Sequence, residues 1–330
     1  MKTLLAAVST LAIGTVAMAQ EKPELTIYTY DSFVAEWGPG PAIEAAFEET
    51  CACDLTFVAA GDGAAILSRL QLEGSRTDAD IVLGLDTALT AAATETGLIA
   101  PHGLAPEGLS LPLGWDDANF LPYDWGYFAF VYDNTKLTAP PASFEELVAS
   151  DLNILIQDPR TSTPGLGLLL WVKAAYGEKA DEIWAGLAPR IVTVTQGWSE
   201  AYGLFLEGEA DMVLSYTTSP SYHLIAEEDA SKAAAVFNEG HYMQVEVAGI
   251  VEGTDQPDLA KDFLSFMVSD AFQSVIPTTN WMFPAVTPAA GLPDGFAEPL
   301  PADKSLLLAP ADAAAKRDGA LQEWLGALSQ

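Results

Sequence analysis

The sequence predicts an α/β protein of two lobes, with two strands crossing between the lobes and a ligand cleft where they meet. Strand-like and helix-like segments alternate along the chain, which favours a sheet covered by helices. Two strands, at 127–132 and 242–250, bracket a central α/β block, so the chain leaves one lobe, builds another and returns. Half of the 330 residues are hydrophobic, which supplies enough apolar material for two cores.

The N-terminal segment is typical of a cleaved signal peptide. Lys2 supplies a positive start, an apolar run follows from Leu4 to Met18, and Ala17-Met18-Ala19 has the small-x-small form of a signal-peptidase site. The run is too short to span a membrane. We therefore expect an exported protein. The predicted division is a signal peptide at 1–19, a first lobe at 20–125 plus 248–330, and a second lobe at 126–247.

The first lobe is predicted from alternating strand and helix signals. Residues 24–30 alternate and are β-rich, and a Gly-Pro-Gly-Pro loop at 38–41 leads into a helix near 43–48. The next elements are a strand at 54–59, a helix with Ile66, Leu67 and Leu70 on one face, a strand at 80–85 and a helix at 88–94. After the second lobe the chain adds amphipathic helices at 259–267 and 312–328.

The second lobe contains two clear helix-start signals. Residues 143–146 form a capping box, and Pro164 stands just after a Thr-Ser-Thr run and before the apolar stretch 166–176. The other predicted elements are strands at 153–157, 191–195 and 211–215 and helices at 181–187 and 198–206. We expect helix N-termini and loops of both lobes to ring the cleft.

The charge balance excludes some partners. The formal net charge is −32, and such a surface repels nucleic acid and anionic lipid, which both bind through Lys and Arg. It attracts cations toward an acidic cleft, although solubility explains most of the acidity. Cys51 and Cys53 could form a disulfide in an exported protein, but so short a loop would strain it. Free or bridged, we expect a structural role for them.

Catalytic signatures are missing from the sequence. It has no nucleophile elbow, no zinc-protease motif, no phosphate-cradling loop and no dinucleotide fingerprint. His102, His223 and His241 lack metal-ligand spacing and are expected on the surface or in packing. The sequence therefore predicts no catalytic residue, no metal and no cofactor.

Large aromatic residues fall where strands meet loops and helices. Such positions suit the mouth of a cleft better than a core. Aromatic faces attract cations and stack on flat heterocycles. For one such residue, partial core packing is an equal explanation, but for the set a ligand cleft is favoured. These residues are Tyr30, Trp37, Trp198, Tyr216, Tyr222 and Trp281.

Polar residues cluster at predicted helix starts. Asp62, before Gly63, could cap its own helix, accept hydrogen bonds from an amino-heterocycle or balance a cation. Helix N-termini offer free N–H groups that suit a phosphate, and capping explains only one hydroxyl per helix. The surplus hydroxyls belong to Ser162, Thr163, Thr217, Thr218 and Ser219. Together these features predict a flat ligand that is cationic at one end and optionally phosphorylated at the other.

Long blocks at 28–33, 37–41, 157–171, 197–205 and 214–220 resemble the thiamine-binding periplasmic proteins of bacterial ABC importers. The resemblance covers nearly the whole chain after the signal peptide. It implies a two-lobed, type II-like periplasmic-binding-protein fold and a monomer in the periplasm. It also implies capture of thiamine, thiamine monophosphate and thiamine diphosphate for an inner-membrane ABC permease.

The resemblance also assigns roles to the candidate residues. The six aromatic residues would enclose the ligand, Asp62 with Gly63 would meet its polar edge or positive ring, and the five hydroxyl residues would hydrogen-bond it. The sequence departs from the family mainly in its C-terminal third, around a Pro/Gly-rich loop at 288–300, which bears on Trp281.

Two alternatives remain open at the level of sequence. Thiamine-degrading enzymes have a similar two-lobed fold and use a Cys nucleophile with a Glu, but Cys51 and Cys53 lie outside the aromatic blocks and have no evident base. The other alternative is a binding protein for a different cationic solute, such as spermidine or ferric ion. The hydroxyl-rich helix starts fit neither solute well.

Overall fold

Two long neighbouring strands cross the middle of the protein, and the computed structural model describes residues 22–329 around them. The strands are β1 Glu24–Thr29, β2 Asp54–Ala59, β3 Ile81–Asp86, β4 Ile99–Ala100, β5 Phe120–Asp133, β6 Ile154–Gln157, β7 Ile191–Thr195, β8 Met212–Tyr216, β9 Lys232–Ala234, β10 His241–Val251, β11 Phe283–Pro284 and β12 Ser305–Leu306. The predicted signal peptide at 1–19 lies outside the described residues.

Helices alternate with most of these strands. They are α1 Gly40–Cys51, α2 Gly63–Glu73, α3 Thr90–Glu95, α4 Phe144–Ala149, α5 Thr163–Tyr176, α6 Ala180–Leu187, α7 Trp198–Glu207, α8 Ser219–Ala226, α9 Pro257–Met267, α10 Asp270–Gln273, α11 Ile276–Thr279 and α12 Pro310–Leu328. Within residues 22–329, no helix combines the length and the apolar character that crossing a membrane requires.

The main sheet has the order β2-β1-β3-β10-β5-β8-β6-β7. At one end β1 pairs in parallel with β2 and β3, and at the other end β6 pairs in parallel with β7 and β8. Between these ends β10 and β5 are antiparallel to each other and to their outer neighbours. The predicted two-lobed α/β fold with two crossing strands is confirmed, and each parallel half directs the ends of its strands toward the space between the halves.

Strand β5 begins seven residues earlier than the sequence pattern indicates. Its first part contains Pro122, Asp124 and Gly126, which interrupt a run of strand-forming residues. The pairing with β10 shifts register at this point, because Glu246 lies opposite Asp124 and Val247 opposite Pro122. Tyr123 is the additional residue of this bulge, which is where a strand tolerates proline.

The most buried helix is α5, whose residues from Thr163 to Val172 are all buried. It packs between β10 of the sheet and the helices α6 and α12, so it has no polar face. The C-terminal helix α12 was predicted as part of the first lobe, but it packs mainly against α5 and α6 and also meets α3. It therefore joins both halves. The lobe division in the sequence prediction remains a prediction.

Local chemistry matches the sequence in some places and differs in others. Ser143 Oγ accepts a hydrogen bond from Glu146 N at 3.0 Å, but the Glu146 carboxylate accepts from the N–H of Ala142 rather than from that of Ser143.

Cys51 and Cys53 form a disulfide at the end of α1, with their Cα atoms 5.1 Å apart. Neither cysteine lines the cavity described below.

Candidate functional site

A cavity of about 470 Å³ lies between the two halves of the protein. Its walls come from the loop after β1, the N-termini of α5, α7 and α8, strand β10 and the segment after α11. Most of the residues predicted from the sequence line it, although they come from distant parts of the chain. Those that line it are Tyr30, Trp37, Asp62, Thr163, Trp198, Tyr216, Ser219, Tyr222 and Trp281. Their role as ligand contacts stays a prediction.

Aromatic rings from opposite halves face each other around this cavity. The ring centroids of Trp37 and Trp198 are 6.4 Å apart, and Trp37 is 55 % exposed. Trp198 is held in place because its indole N–H donates to Ser215 Oγ at 2.8 Å and its ring stacks on Tyr202 at 5.1 Å. A large aromatic that is left open beside a fixed one is typical of a binding surface.

The opposite wall is made by Tyr222 and Trp281, which meet edge to face with their ring centroids 5.4 Å apart. Trp281 has a φ of +56°, a left-handed backbone that non-glycine residues rarely adopt. Its N–H donates to the carbonyl of Ile276 at 3.0 Å, which closes the end of α11. Backbone strain of this kind concentrates at functional sites.

Asp62 connects the two halves instead of capping its own helix. Its Oδ2 accepts a hydrogen bond from Ser162 Oγ at 2.7 Å and another from the backbone N–H of Trp198 at 3.2 Å. Beside it the N–H of Gly63 donates to Thr163 Oγ1 at 3.2 Å. These hydrogen bonds join the start of α2 to the N-termini of α5 and α7, so we call the group the interlobe latch. It consists of Asp62, Gly63, Ser162, Thr163 and Trp198.

The Asp62 carboxyl titrates away from its ordinary range. Burial raises its pKa to about 6, the hydrogen bonds from Ser162 and Trp198 oppose the increase, and the charge of Asp31 adds to it. One side of Asp62 remains open to the cavity. A cation in the cavity would therefore stabilise the ionised form, whereas without a cation the carboxyl is protonated below a pH of about 6.

Four predicted residues do not line the cavity. The Ser162 hydroxyl is occupied by Asp62, and Gly63 is packed so closely that a Cβ would meet Thr163 Oγ1 at 2.6 Å. Thr218 is buried, with its hydroxyl 3.9 Å from the Met282 sulfur, and the buried Thr217 hydroxyl has no partner. Their direct contact with a ligand stays a prediction, and in this arrangement Ser162 and Gly63 act through the latch.

The floor of the cavity contains acidic residues that the sequence analysis missed. Glu246 Oε2 accepts hydrogen bonds from the hydroxyls of Tyr30 at 3.1 Å and Tyr123 at 3.0 Å. Asn280 Nδ2 donates to Asp124 Oδ2 at 2.6 Å and to the Tyr30 hydroxyl at 2.9 Å. Glu246 and Asn280 line the cavity, and Asp124 is buried beneath them.

A signal for Glu246 exists in the sequence, because it is the one charged residue within the apolar run 242–251. A charge in a fully buried strand requires an explanation. The other lining residues that the sequence analysis did not name are Ser32, Pro164, Ser199, Tyr202, Gly203, Leu206, Ala226, Thr278, Thr279 and Met282. They are small, polar or apolar residues without a distinctive pattern.

The electrostatic character of the cavity is acidic. Asp62 and Glu246 both line it, and no Lys, Arg or His is among the lining residues of the described chain. Because these two carboxylates and seven aromatic side chains line the same cavity, it suits a ligand that is flat and positively charged.

The three histidines are buried packing residues. His223, Glu227 and Asp229 lie close enough to hold a metal ion, but both ring nitrogens of His223 are already engaged. Nδ1 lies 2.7 Å from Glu227 Oε2, and Nε2 lies 2.9 Å from the Tyr202 hydroxyl. Glu227 also accepts from the Tyr222 hydroxyl at 2.8 Å, so this cluster orients an aromatic wall of the cavity.

Comparison with known proteins gives consistent matches. Residues 31–274 match the family of bacterial extracellular solute-binding proteins. The chain is 54 % identical to the thiamine-binding periplasmic protein of Escherichia coli (strain K12) over 311 residues, which is 94 % of each protein. A solved periplasmic thiamin binding protein superposes with a TM-score of 0.90 at 53 % identity, covering 94 % of this chain and 97 % of that one.

A more distant structure shows only the fold. Iron-bound HitA from Pseudomonas aeruginosa superposes with a TM-score of 0.72 at 20 % identity, covering 92 % of this chain and 99 % of that one. At this identity the likeness carries no statement about the ligand.

Proposed function

The chain belongs to the family of bacterial extracellular solute-binding proteins, and we propose that it captures thiamine in the cavity between its halves and delivers it to an inner-membrane ABC permease. The proposal includes thiamine monophosphate and thiamine diphosphate, and it places the protein in the periplasm as a monomer. The observation that carries it is the cavity itself, which combines facing aromatic rings with two carboxylates and lacks a basic group among the described lining residues.

The cationic part of thiamine fits the two kinds of group in the cavity. Thiamine has a thiazolium ring with a fixed positive charge and a flat aminopyrimidine ring. A cation against an aromatic face gains about 0.5–2 kcal/mol, and more when water is excluded. Trp37 and Trp198 offer such faces, while Glu246 supplies negative charge at the floor. We propose that both rings bind between these walls.

The phosphate esters require a different part of the cavity. Thr163 begins α5 and Ser219 begins α8, and both line the cavity. The free N–H groups of a helix N-terminus and its positive dipole end suit an anion. We propose that these two helix starts accept the phosphate groups, which explains how a cavity without a basic side chain would admit them.

We further propose that the protein binds thiamine without consuming it. The related proteins are binding proteins, and the enzyme alternative needs a cysteine thiolate in the site. Cys51 and Cys53 are joined in a disulfide and do not line the cavity. Against the alternative of a different cationic solute, the walls include seven aromatic side chains, which favours a flat heterocycle over a polyamine or a metal ion.

Capture requires the halves to move. We propose that 20–125 with 248–330 and 126–247 act as lobes that hinge on β5 and β10, with the interlobe latch forming when they close. The ligand would favour the closed state through contacts that it makes only there.

Native mass spectrometry of protein purified from rich medium tests the proposal. We expect a co-purified mass of thiamine or one of its esters. After dialysis, calorimetric titration should show thiamine binding at least about tenfold more tightly than deazathiamine, in which a neutral ring replaces the thiazolium. A protein that carries no such mass and gives no heat with thiamine would contradict the proposal.

A further inference from the structure

Two acidic side chains lie opposite each other on the crossing strands. Glu246 of β10 pairs in register with Asp124 of β5, which places both side chains on the same face of the sheet. Asp124 is fully buried, and Glu246 is 6 % exposed, toward the cavity. The sheet itself therefore forces two carboxyl groups together at the floor of the cavity.

Two bulges follow Glu246 on β10. The register of β10 shifts next to Glu246 against β5 and one residue later against β3. Such bulges re-aim side chains and are common beside functional sites. Here they bring the hydroxyl of Tyr123 within 3.0 Å of Glu246 Oε2. The pairing of β5 with β10 thus fixes the backbone positions from which both carboxyl side chains extend.

No positive group faces the pair within the described residues. The groups around it are hydroxyls, an amide and further carboxyls, and the one cation nearby, Arg317 of α12, acts on Asp86. The surrounding groups whose charges or hydrogen bonds act on the pair are Tyr30, Asp62, Asp86, Tyr123, Tyr216 and Asn280. Two buried carboxylates without a cation cannot both be ionised at moderate cost, so they retain a proton between them.

The hydrogen bonds indicate which carboxyl carries that proton. Glu246 Oε2 accepts from two tyrosine hydroxyls, and both bonds stabilise its ionised form. Asp124 Oδ2 accepts from Asn280, whereas Asp124 Oδ1 is buried without a partner. Burial, followed by the Glu246 charge, holds the pKa of Asp124 far above its usual range. Asp124 is therefore the acid of the pair, and Glu246 is the base that the ligand meets.

We propose that the Asp124–Glu246 pair holds one proton in the ligand-free cavity and releases it to solvent when a cationic ligand binds, so that Glu246 is the residue through which the site recognises positive charge. This inference rests on the proposed function in taking the ligand to be a cation. The ligand's positive charge replaces that of the proton, and the net charge of the floor is conserved. Binding should then strengthen as pH rises, until the free pair is ionised without a ligand.

Calorimetry in buffers of different ionisation enthalpy counts the protons released. At pH 7.5, where Asp62 is already ionised, we expect wild-type protein to release a fraction of a proton, up to about one, when thiamine binds. Asp124→Asn should abolish the release and flatten the pH dependence of the affinity. Asp258→Asn is the matched control, because it removes an exposed carboxylate of α9 that does not line the cavity, so proton release should persist.

Glu246→Gln separates charge from shape. The substitution should lower the affinity for thiamine at least about tenfold. The affinity for the neutral analogue deazathiamine should fall much less, because only the charge of the side chain is lost. Thiamine binding without proton exchange at pH 6–9 would overturn this inference and leave the proposed function standing.

The shared proton can also be seen without a ligand, which keeps this inference testable if the proposed function fails. Infrared difference spectroscopy of ligand-free protein at pH 7.5 should show the carbonyl stretch of a protonated carboxyl that is missing from Asp124→Asn. A wild-type spectrum without that band would overturn the proposal, even if the amide variants failed to fold.

Discussion

Oδ2 of Asp62 accepts a hydrogen bond at 3.2 Å from the backbone N–H of Trp198, a residue 136 positions away in the chain. The bond joins the turn before α2 to the first residue of α7, and Trp198 in turn contributes a wall of the cavity. The hinge closure that we propose would therefore form the interlobe latch and the aromatic wall together. Changes in the interlobe latch should alter ligand binding even where the altered atoms do not line the cavity.

Ser162→Ala tests the latch. The substitution removes the hydroxyl that donates to Asp62 at 2.7 Å, and a hydrogen bond to a charged group contributes about 1.5–3 kcal/mol. We expect thiamine and thiamine diphosphate to lose affinity by similar factors, of about tenfold or more, in parallel titrations. Ser143→Ala, at the N-terminus of α4 and outside the cavity, is the matched control and should leave both affinities unchanged. A loss confined to the diphosphate would mean that Ser162 meets phosphate instead of Asp62.

The raised pKa of Asp62 predicts a pH dependence of stability. A carboxyl whose pKa is about 6 when folded, above its value when unfolded, stabilises the ligand-free fold most at low pH and loses that contribution as pH rises through 6. Asp62→Asn cannot titrate. The free energy of unfolding of this variant, relative to wild type, should therefore increase between pH 4.5 and pH 7.5 in chemical denaturation. A constant difference across that range would show that Asp62 titrates normally.

Most of the secondary structure follows from hydrophobic periodicity. The strand at 54–59 and the buried positions Ile66, Leu67 and Leu70 are confirmed, because their spacing reports burial directly. The start of β5 was missed, since Pro122 and Asp124 do not fit a strand pattern and are accommodated only by pairing with β10. Register between strands that are more than a hundred residues apart is a tertiary property that local patterns do not contain.

In the cavity, too, some residues could be predicted from local sequence and others could not. The aromatic residues at strand ends were predictable because α/β folds place such positions at the cleft. The hydrogen-bond partners of Asp62 were not predictable. A carboxylate just before a helix usually accepts from the backbone N–H groups in the first turn of that helix, which are its nearest donors. The acidic floor was missed because a buried carboxyl pair becomes visible only when Glu246 and Asp124 are brought into register.

Replacing both cysteines tests the binding-only proposal. The disulfide between Cys51 and Cys53 lies outside the cavity, so Cys51→Ser with Cys53→Ser should bind thiamine within about twofold of wild type. Wild-type protein incubated for hours with excess thiamine and an amine acceptor should leave the vitamin intact by mass spectrometry. Turnover in wild type that disappears in the double variant would support the enzyme alternative instead.

Trp37→Ala separates ligand contact from fold stability. Because Trp37 is 55 % exposed, its removal should cost little in the free energy of unfolding, whereas loss of a cation–aromatic contact of about 0.5–2 kcal/mol should weaken thiamine about 2- to 30-fold. Trp37→Phe keeps an aromatic face and should restore part of the affinity. Leu72→Ala, on the surface of α2 where Leu72 is 83 % exposed, is the control for a lost exposed apolar side chain and should bind as wild type does. Thiamine should also change the tryptophan fluorescence of wild type more than that of Trp37→Ala. If Trp37→Ala binds thiamine as tightly as wild type, the ligand does not reach the Trp37–Trp198 wall, and the proposed position of the rings is wrong.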